Sequence, residues 1–347
     1  MNLARFQELA QRYAKLRIAI IGDFCLDRYF EIDPTRQEIS LETGLPVHNV
    51  IRVRCQPGAG GTILNNLCAL NVGRVFPVGV SGTDGEGYEL RTVLAMRPGV
   101  SLDFFVTTET RNTFTYSKPL VMHPGQPPEE LSRLDLKNWT PTPAPLQRTL
   151  ADAVTQIAPQ VDAVILLDQV DIADTGVISA VVLEAVATAV TTFPNLVVLA
   201  DSRRSLRGYP QVGFKMNRAE MARTAGIPEN ASFELIKNAA EAIATAQNNP
   251  VFITLAEHGL IGAAPQQPAN HVKALPLRGE IDIVGAGDSV MANLSVALAS
   301  GATVQEAMEL AALASSIVVH QLGTTGTATM EDILTLGQSS GMITSAG

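Results

Sequence analysis

The run Asp282-Ile283-Val284-Gly285-Ala286-Gly287-Asp288-Ser289 joins a flexible turn, a row of main-chain amides and a carboxylate. Two glycines around a small alanine let the backbone turn sharply and aim several N–H groups one way. The next segment, 290–299, reads as a helix, so these donors stand at its positive end, where an anion is favoured. Asp288 sits at the same turn. Amides of Gly285, Ala286 and Gly287 could cradle a migrating phosphoryl group while Asp288 takes the proton of the attacking hydroxyl. The bland alternative is a glycine turn closed by a helix-capping aspartate, so other segments must decide.

Several other residues have types and spacing suited to the same chemistry. Asp23 and Asp27 follow the first apolar run, at the edge where open α/β sheets bind ligands; either is also a good turn cap. Asn217 and Glu220 fall at i and i+3 on one face of a short helix, a spacing that equally suits an N-cap arrangement. Thr254 and Gly259 flank a turn. Gly58, Gly60 and Gly61 precede Thr62 and would let the backbone approach a ligand closely. The histidines at 48, 123, 258, 271 and 320 show no ligand spacing.

Alternating elements must position these groups. Strand-like runs at 17–21, 75–80, 163–167, 196–200 and 251–255 are separated by helical periodicity at 63–70, 87–96, 144–157, 175–190 and 233–247. This predicts an α/β fold, a doubly wound and mostly parallel sheet covered by helices. Residues 29–57 and 107–136 hold short alternating runs with polar turns. They read as a small antiparallel β lid inserted twice into a main domain of 1–28, 58–106 and 137–347. An N-terminal amphipathic helix carries Leu3, Phe6, Leu9, Tyr13 and Leu16 and is not a signal peptide.

A net charge of −9 in 347 residues, with no basic aromatic stripe, argues against a nucleic-acid partner, and no run is long and apolar enough for a membrane. Cys25, Cys55 and Cys68 lack metal-ligand spacing. Cys25 and Cys68 are expected as buried thiols, which fits a reducing, cytoplasmic setting. A lid too thin to bury its own face is expected to pair with a second copy in a homodimer.

Taken in order along 17–335, the motifs resemble those of the ribokinase-like (PfkB) carbohydrate kinases. Residues 282–289 are similar to the family's Asp-Thr-x-Gly-Ala-Gly-Asp, and 22–27 to its Gly-Asp-x-x-x-Asp. Asn217 to Glu220 resembles Asn-x-x-Glu, 254–259 resembles Thr-Leu-Gly-x-x-Gly, and Leu322-Gly323-Thr324 resembles the end of the penultimate helix. The resemblance implies ATP-dependent phosphorylation of a sugar hydroxyl, with Asp288 as base and the Gly285, Ala286 and Gly287 amides as anion hole. It implies that Asp27, with Asp23 nearby, accepts sugar hydroxyls, and that Gly58, Gly60, Gly61 and Thr62 lie beside the sugar. Asn217, Thr254, Gly259, Gly285 and Gly287 would meet the nucleotide. Glu220 would order water around Mg²⁺, and Asp282 with the Ile283 carbonyl would hold a monovalent cation such as K⁺.

Within the family, the Ile39-Ser40-Leu41-Glu42 and Pro46-Val47 runs, with Lys118 and the 131–135 segment, resemble heptose 7-phosphate kinase domains of ADP-heptose biosynthesis. A phosphorylated sugar would need cations, and Lys118, Arg133, Arg111, Arg203 and Arg204 are the candidates. The chain also departs from the pattern: Thr62 replaces an asparagine, Ala256 a glycine and Ile283 a threonine, and the loop at 168–171 differs. Those departures keep two alternatives open, a kinase of a nucleoside or another small polyol, and a non-catalytic ligand-binding relative. A dinucleotide oxidoreductase fits poorly, because Ile63 stands where a third fingerprint glycine should be.

Overall fold

A computed structural model describes residues 1–345 of the chain. Its main sheet has eight strands: β1 (Arg17–Gly22), β2 (Arg74–Val78), β3 (Ala163–Asp168), β4 (Val197–Ser202), β5 (Gly213–Asn217), β6 (Val251–Thr254), β7 (Leu260–Ala263) and β8 (Asn270–Val272). They lie side by side in the order β8-β7-β6-β5-β4-β3-β1-β2. The pairs from β2 to β6 are parallel, and β7 and β8 close one edge antiparallel.

Central strands buried on both sides need apolar residues at every position, sent alternately to the two faces. In β1, Ile18 and Ile20 enter one core and Ala19 and Ile21 the other; in β3, Ile165 and Leu167 oppose Val164 and Leu166. Helices α1 (Leu3–Tyr13), α2 (Gly60–Ala69) and α3 (Gly85–Ala95) pack on the first face. The second face is covered by α4 (Ala144–Ile157), α5 (Ala180–Thr192), α6 (Arg218–Ala225) and α7 (Phe233–Gln247). The chain then returns to the first face as α8 (Ala286–Ala299), α9 (Val304–Val318) and α10 (Met330–Ser339). This is the doubly wound arrangement that the alternation predicts.

Several elements differ from expectation. The helix expected from 175 begins at Ala180, capped by Ser179, because the chain before it is drawn into a loop: Asp23 accepts the N–H groups of Gln169 and Val177, each at 2.8 Å. Strand β5 was not foreseen, since Lys215 interrupts its apolar run. Cys68 is only partly buried; Cys25 is buried, and none of the three thiols is paired.

A second sheet of five strands stands on the carboxyl edge of the first. Phe24–Ile32 pairs antiparallel with Val50–Ala59 and parallel with Phe114–Val121, which also pairs with Glu129–Glu130 and Leu134–Leu136. It is mixed rather than wholly antiparallel, because Phe24–Ile32 and Phe114–Val121 open two separate excursions from the same body and run in the same direction. Only Asp23 separates β1 from Phe24–Ile32, so the main sheet's central region passes directly into the smaller sheet.

One turn carries strain. Ala256 has φ of 49°, in the left-handed region that a Cβ disfavours. Gly259 has φ of 88°, and a side chain there would collide with the Val272 carbonyl, so that glycine is obligatory. Ala256→Gly should therefore raise stability by about 0.5–1 kcal/mol in urea denaturation, the relief of left-handed strain exceeding the entropy cost of glycine. Equal midpoints for the two proteins would show that the turn is unstrained.

Candidate active site

The carboxyl ends of the parallel strands bring chemistry-bearing side chains to one edge: Asp23 after β1, Asp168 in β3, Asp201 in β4, Lys215 and Asn217 in β5, and Thr254 in β6. The start of α8 overhangs this edge. Gly285 is its N-cap with φ of 83°; a Cβ there would press on Thr62 and Thr325, at 3.4 and 3.3 Å. Thr62 thus lies beneath the turn. Among the described residues the N–H groups of Gly285, Gly287 and Asp288 have no partner. Ala286 departs from the expected role: its N–H closes the turn by donating to the Ile283 carbonyl at 3.2 Å. The cradle is therefore made by residues 285, 287 and 288.

Asp288 occupies the third helical position and is partly exposed to the cleft. Loss of solvation pushes its carboxyl up to about 7; Lys215 and Arg203 pull against that rise, and Asp201 and Asp27 add to it. Lys215 is buried and donates to Asp201 at 2.6 Å. Its ammonium lies 3.2 Å from the point where a side chain on Gly287 would begin, directly under the cradle. Burial opposes the Lys215 charge, but Asp201 holds its proton affinity above the ordinary value. Neither Lys215 nor Asp201 was singled out from the sequence. The available signal was a lone lysine in a buried strand, two residues before Asn217 and so on the same face of β5.

Asn217 and Glu220 form a reciprocal capping box at the start of α6. The Asn217 side chain accepts from the Glu220 N–H at 2.9 Å, and Glu220 Oε2 accepts from the Asn217 N–H at 2.7 Å. The capping alternative is thus realised, and it leaves Glu220 Oε1 without a hydrogen-bond partner among the described residues. Burial first, and then Asp201, hold the Glu220 carboxyl above its usual range. Thr254 stands beside Asn217 in register. Among the described residues no three His, Cys, Asp or Glu side chains cluster as metal ligands. Free oxygens on Glu220 and Asp201 nevertheless suit a hard divalent ion that keeps most of its own waters.

At the lid, Asp27 Oδ1 pairs with Lys118 at 3.1 Å, and Lys118 also reaches the Tyr29 hydroxyl at 3.3 Å. Although burial opposes its charge, Lys118 is held above its usual value by Asp27. The glycines at 58, 60 and 61 do not open space for a ligand. A Cβ on Gly58 would lie 2.5 Å from Asp27 Oδ2, one on Gly60 would meet the Phe24 ring, and one on Gly61 would meet Pro57. They let the chain's own groups approach, and Gly58 in particular makes room for the Asp27 carboxylate.

The remaining expected residues are engaged elsewhere. Asp23 is buried, and both its oxygens accept main-chain N–H groups, so it staples β1 to the 169–177 loop instead of facing a ligand. Burial and then Asp168 raise it to about 6. Arg133 pairs with Asp135 at 2.8 Å, and Arg204 with Asp168 at 2.8 Å. Arg111 is buried and donates to Thr140 and Thr142. Asp282 accepts from the N–H groups of Val284 at 3.0 Å and Gly323 at 3.3 Å, which ties the turn to the end of α9.

Residues 177–331 match the family model of the pfkB family carbohydrate kinases. The chain is similar to the bifunctional protein HldE of Gluconacetobacter diazotrophicus, 30% identical over 324 residues that cover 93% of this chain and 64% of that protein. It is similar also to HldE of Azorhizobium caulinodans, 31% identical over 309 residues, covering 88% and 61%. The chain thus spans less than two thirds of the length of these relatives. Among solved structures it is similar to Arabidopsis thaliana ribokinase complexed with ribose and ATP, with a TM-score of 0.69, 20% identity, and coverage of 93% and 99%. Escherichia coli phosphofructokinase-2 in complex with fructose-6-phosphate gives a TM-score of 0.67 at 15% identity, covering 92% and 98%. At such identities the structural likeness concerns the fold. The family match lies in the C-terminal half of the chain, and the similarity to the HldE proteins runs along nearly its whole length.

Proposed function

We propose that this chain transfers the terminal phosphoryl group of ATP, with Mg²⁺, to a hydroxyl of a sugar or sugar phosphate. The observation that carries the reading is Asp288, a poorly solvated carboxylate with a proton affinity near neutrality, beside three unpartnered amides at a helix N-terminus. A base with that affinity is about half ionised near neutral pH and is well matched to accept a proton from an alcohol. The acceptor's other hydroxyls meet the Asp27–Lys118 pair. The 285, 287 and 288 amides and the Lys215 ammonium offset charge on the moving phosphoryl group. Mg²⁺ would be held near Glu220 and Asp201 through water, and when bound it neutralises phosphate charge. A monovalent cation such as K⁺ at the Asp282 carboxylate and the Ile283 carbonyl belongs to the same proposal. So does a cytoplasmic location, supported by three unpaired thiols and by the lack of any helix long and apolar enough to cross a membrane among the described residues.

The lid also supports a homodimer. Leu41 is fully exposed and Ile39 and Leu45 are more than half exposed at the hairpin formed by Glu38–Ile39 and Pro46–Val47, and Ile51 on the lid strand Val50–Ala59 is also more than half exposed, which leaves apolar surface at the lid uncovered. Light scattering should give twice the chain mass of 36.9 kDa, and Leu41→Asp should shift the protein toward monomer. Monomer alone at micromolar concentration would count against the dimer.

Asp288→Asn should lower ADP release by at least about 10²-fold while ATP still binds. The rate with the wild type should rise with pH around a midpoint of about 7, since the base acts ionised. Folding raises this group's proton affinity, so its ionised form costs stability above that midpoint, and the Asn variant should melt higher at pH 8. If the wild type binds ATP but releases no ADP with any sugar, sugar phosphate or nucleoside, the chain is a non-catalytic relative.

Gly58→Ala should push Asp27 off its present position, raise the acceptor KM at least about tenfold and cost about 1–3 kcal/mol of stability. An unchanged KM would separate Asp27 from acceptor binding.

A further inference from the structure

We propose that His320 is a positioning residue for the anion cradle: its ring accepts the Arg278 N–H and so fixes the segment that carries the cradle to the site. This rests on the kinase reading above. Between β8 and α8 the chain runs from 273 to 285 without helix or strand, and the cradle turn is its last part. Apolar burial does little to hold it. Leu275 packs against the core, but Leu277, Ile281, Ile283 and Val284 are exposed, Ile283 by 73%. A segment with so few buried contacts is placed by its hydrogen bonds. Among the described residues, every such bond to an element other than α8 ends on 316–323, the close of α9 and the turn after it.

There are two ties. At Arg278 the main-chain N–H donates to His320 Nε2 at 2.9 Å, and the guanidinium donates to the Ser316 carbonyl at 2.9 Å. At Asp282 the N–H donates to the Val319 carbonyl at 2.7 Å, and the carboxylate accepts from the Gly323 N–H at 3.3 Å. The role of the His320 ring is set by its partners. Its Nδ1 lies 2.7 Å from the Ser316 carbonyl oxygen, which can only accept, so Nδ1 carries the ring hydrogen. That leaves a lone pair on Nε2, and it meets a main-chain N–H that can only donate. The ring is thus a bridge from the last turn of α9 to the backbone of the segment. Without it, Arg278 is held only through its own flexible side chain. A shift at Arg278 passes along the backbone to Gly285, Gly287 and Asp288, and misplacing reacting groups by about 1 Å can cost on the order of 10²-fold in rate.

Three variants differ in what they offer at this point. His320→Gln puts an amide oxygen where Nε2 stands. His320→Asn is shorter, keeps a donor for the Ser316 carbonyl and does not reach Arg278. His320→Ala offers neither. Hydrogen exchange of the full-length protein reads the segment without any substrate. The Asp282 and Ala286 amides keep their own acceptors, the Val319 and Ile283 carbonyls, in every variant, so they lose protection only if the segment loosens. The expected result is exchange about tenfold faster at these two amides in the Ala and Asn variants, with Gln near the wild type and the interior of α9 protected throughout. ADP release, measured in parallel with free sugars and sugar phosphates, should show kcat about tenfold lower for Ala and Asn, the acceptor KM within about twofold, and kcat restored by Gln.

The proposal falls if the Ala and Asn variants exchange at Asp282 and Ala286 as the wild type does, or if Gln behaves as Asn does. Exchange that follows the acceptor, in a protein that releases no ADP with any acceptor, would sink the kinase reading and leave the role of His320 standing. Turnover by the wild type with exchange indifferent to the side chain at 320 would do the reverse.

Discussion

Lys215 and Asp288 face each other's charge at the start of α8, and neither is fully solvated. Burial alone would neutralise both groups. Asp201 keeps the ammonium charged, and the ammonium in turn limits how far the carboxylate rises. Their balance depends on β4, β5 and α8 ending at one place, so the site follows from sheet order as much as from any side chain. Gly285 and Gly287 serve that convergence too, one by turning left-handed above Thr62 and the other by leaving room for Lys215.

Much of this was legible in the chain. Strands β1 and β3 are apolar at successive positions, so their double burial could be read directly. The 282–289 turn and the Asn217/Glu220 spacing named themselves through their motifs. The missed features share a physical reason: they depend on groups that meet through space. Lys215 reads as a break in a hydrophobic run until Asp201 is seen beside it. Gly58 reads as a place where the backbone approaches a ligand, but the close approach there is made by Asp27 of the same chain. Asp23 has the type and place of a ligand-binding carboxylate, and only the fold shows both oxygens filled by main-chain amides.

The smaller sheet behaves differently from the main one. Its strands alternate more than those of the main sheet: on one side Phe24 and Leu26 join the core, while Val53 farther along that side is nearly half exposed. The other side presents Asp27, Tyr29 and Lys118, joined by the contacts of Lys118 to the Asp27 carboxylate and the Tyr29 hydroxyl and by the Lys118 ammonium over the Tyr29 ring at 4.8 Å. That network fixes the Asp27 carboxylate without any help from the main sheet.

Because a single residue joins β1 to Phe24–Ile32, and that residue also grips both ends of the 169–177 loop, the two walls of the cleft between the sheets share one mechanical pivot. A tilt of the upper sheet about Asp23 must pull on the amides of Gln169 and Val177. The floor and the roof of the cleft are therefore tied to each other through one carboxylate.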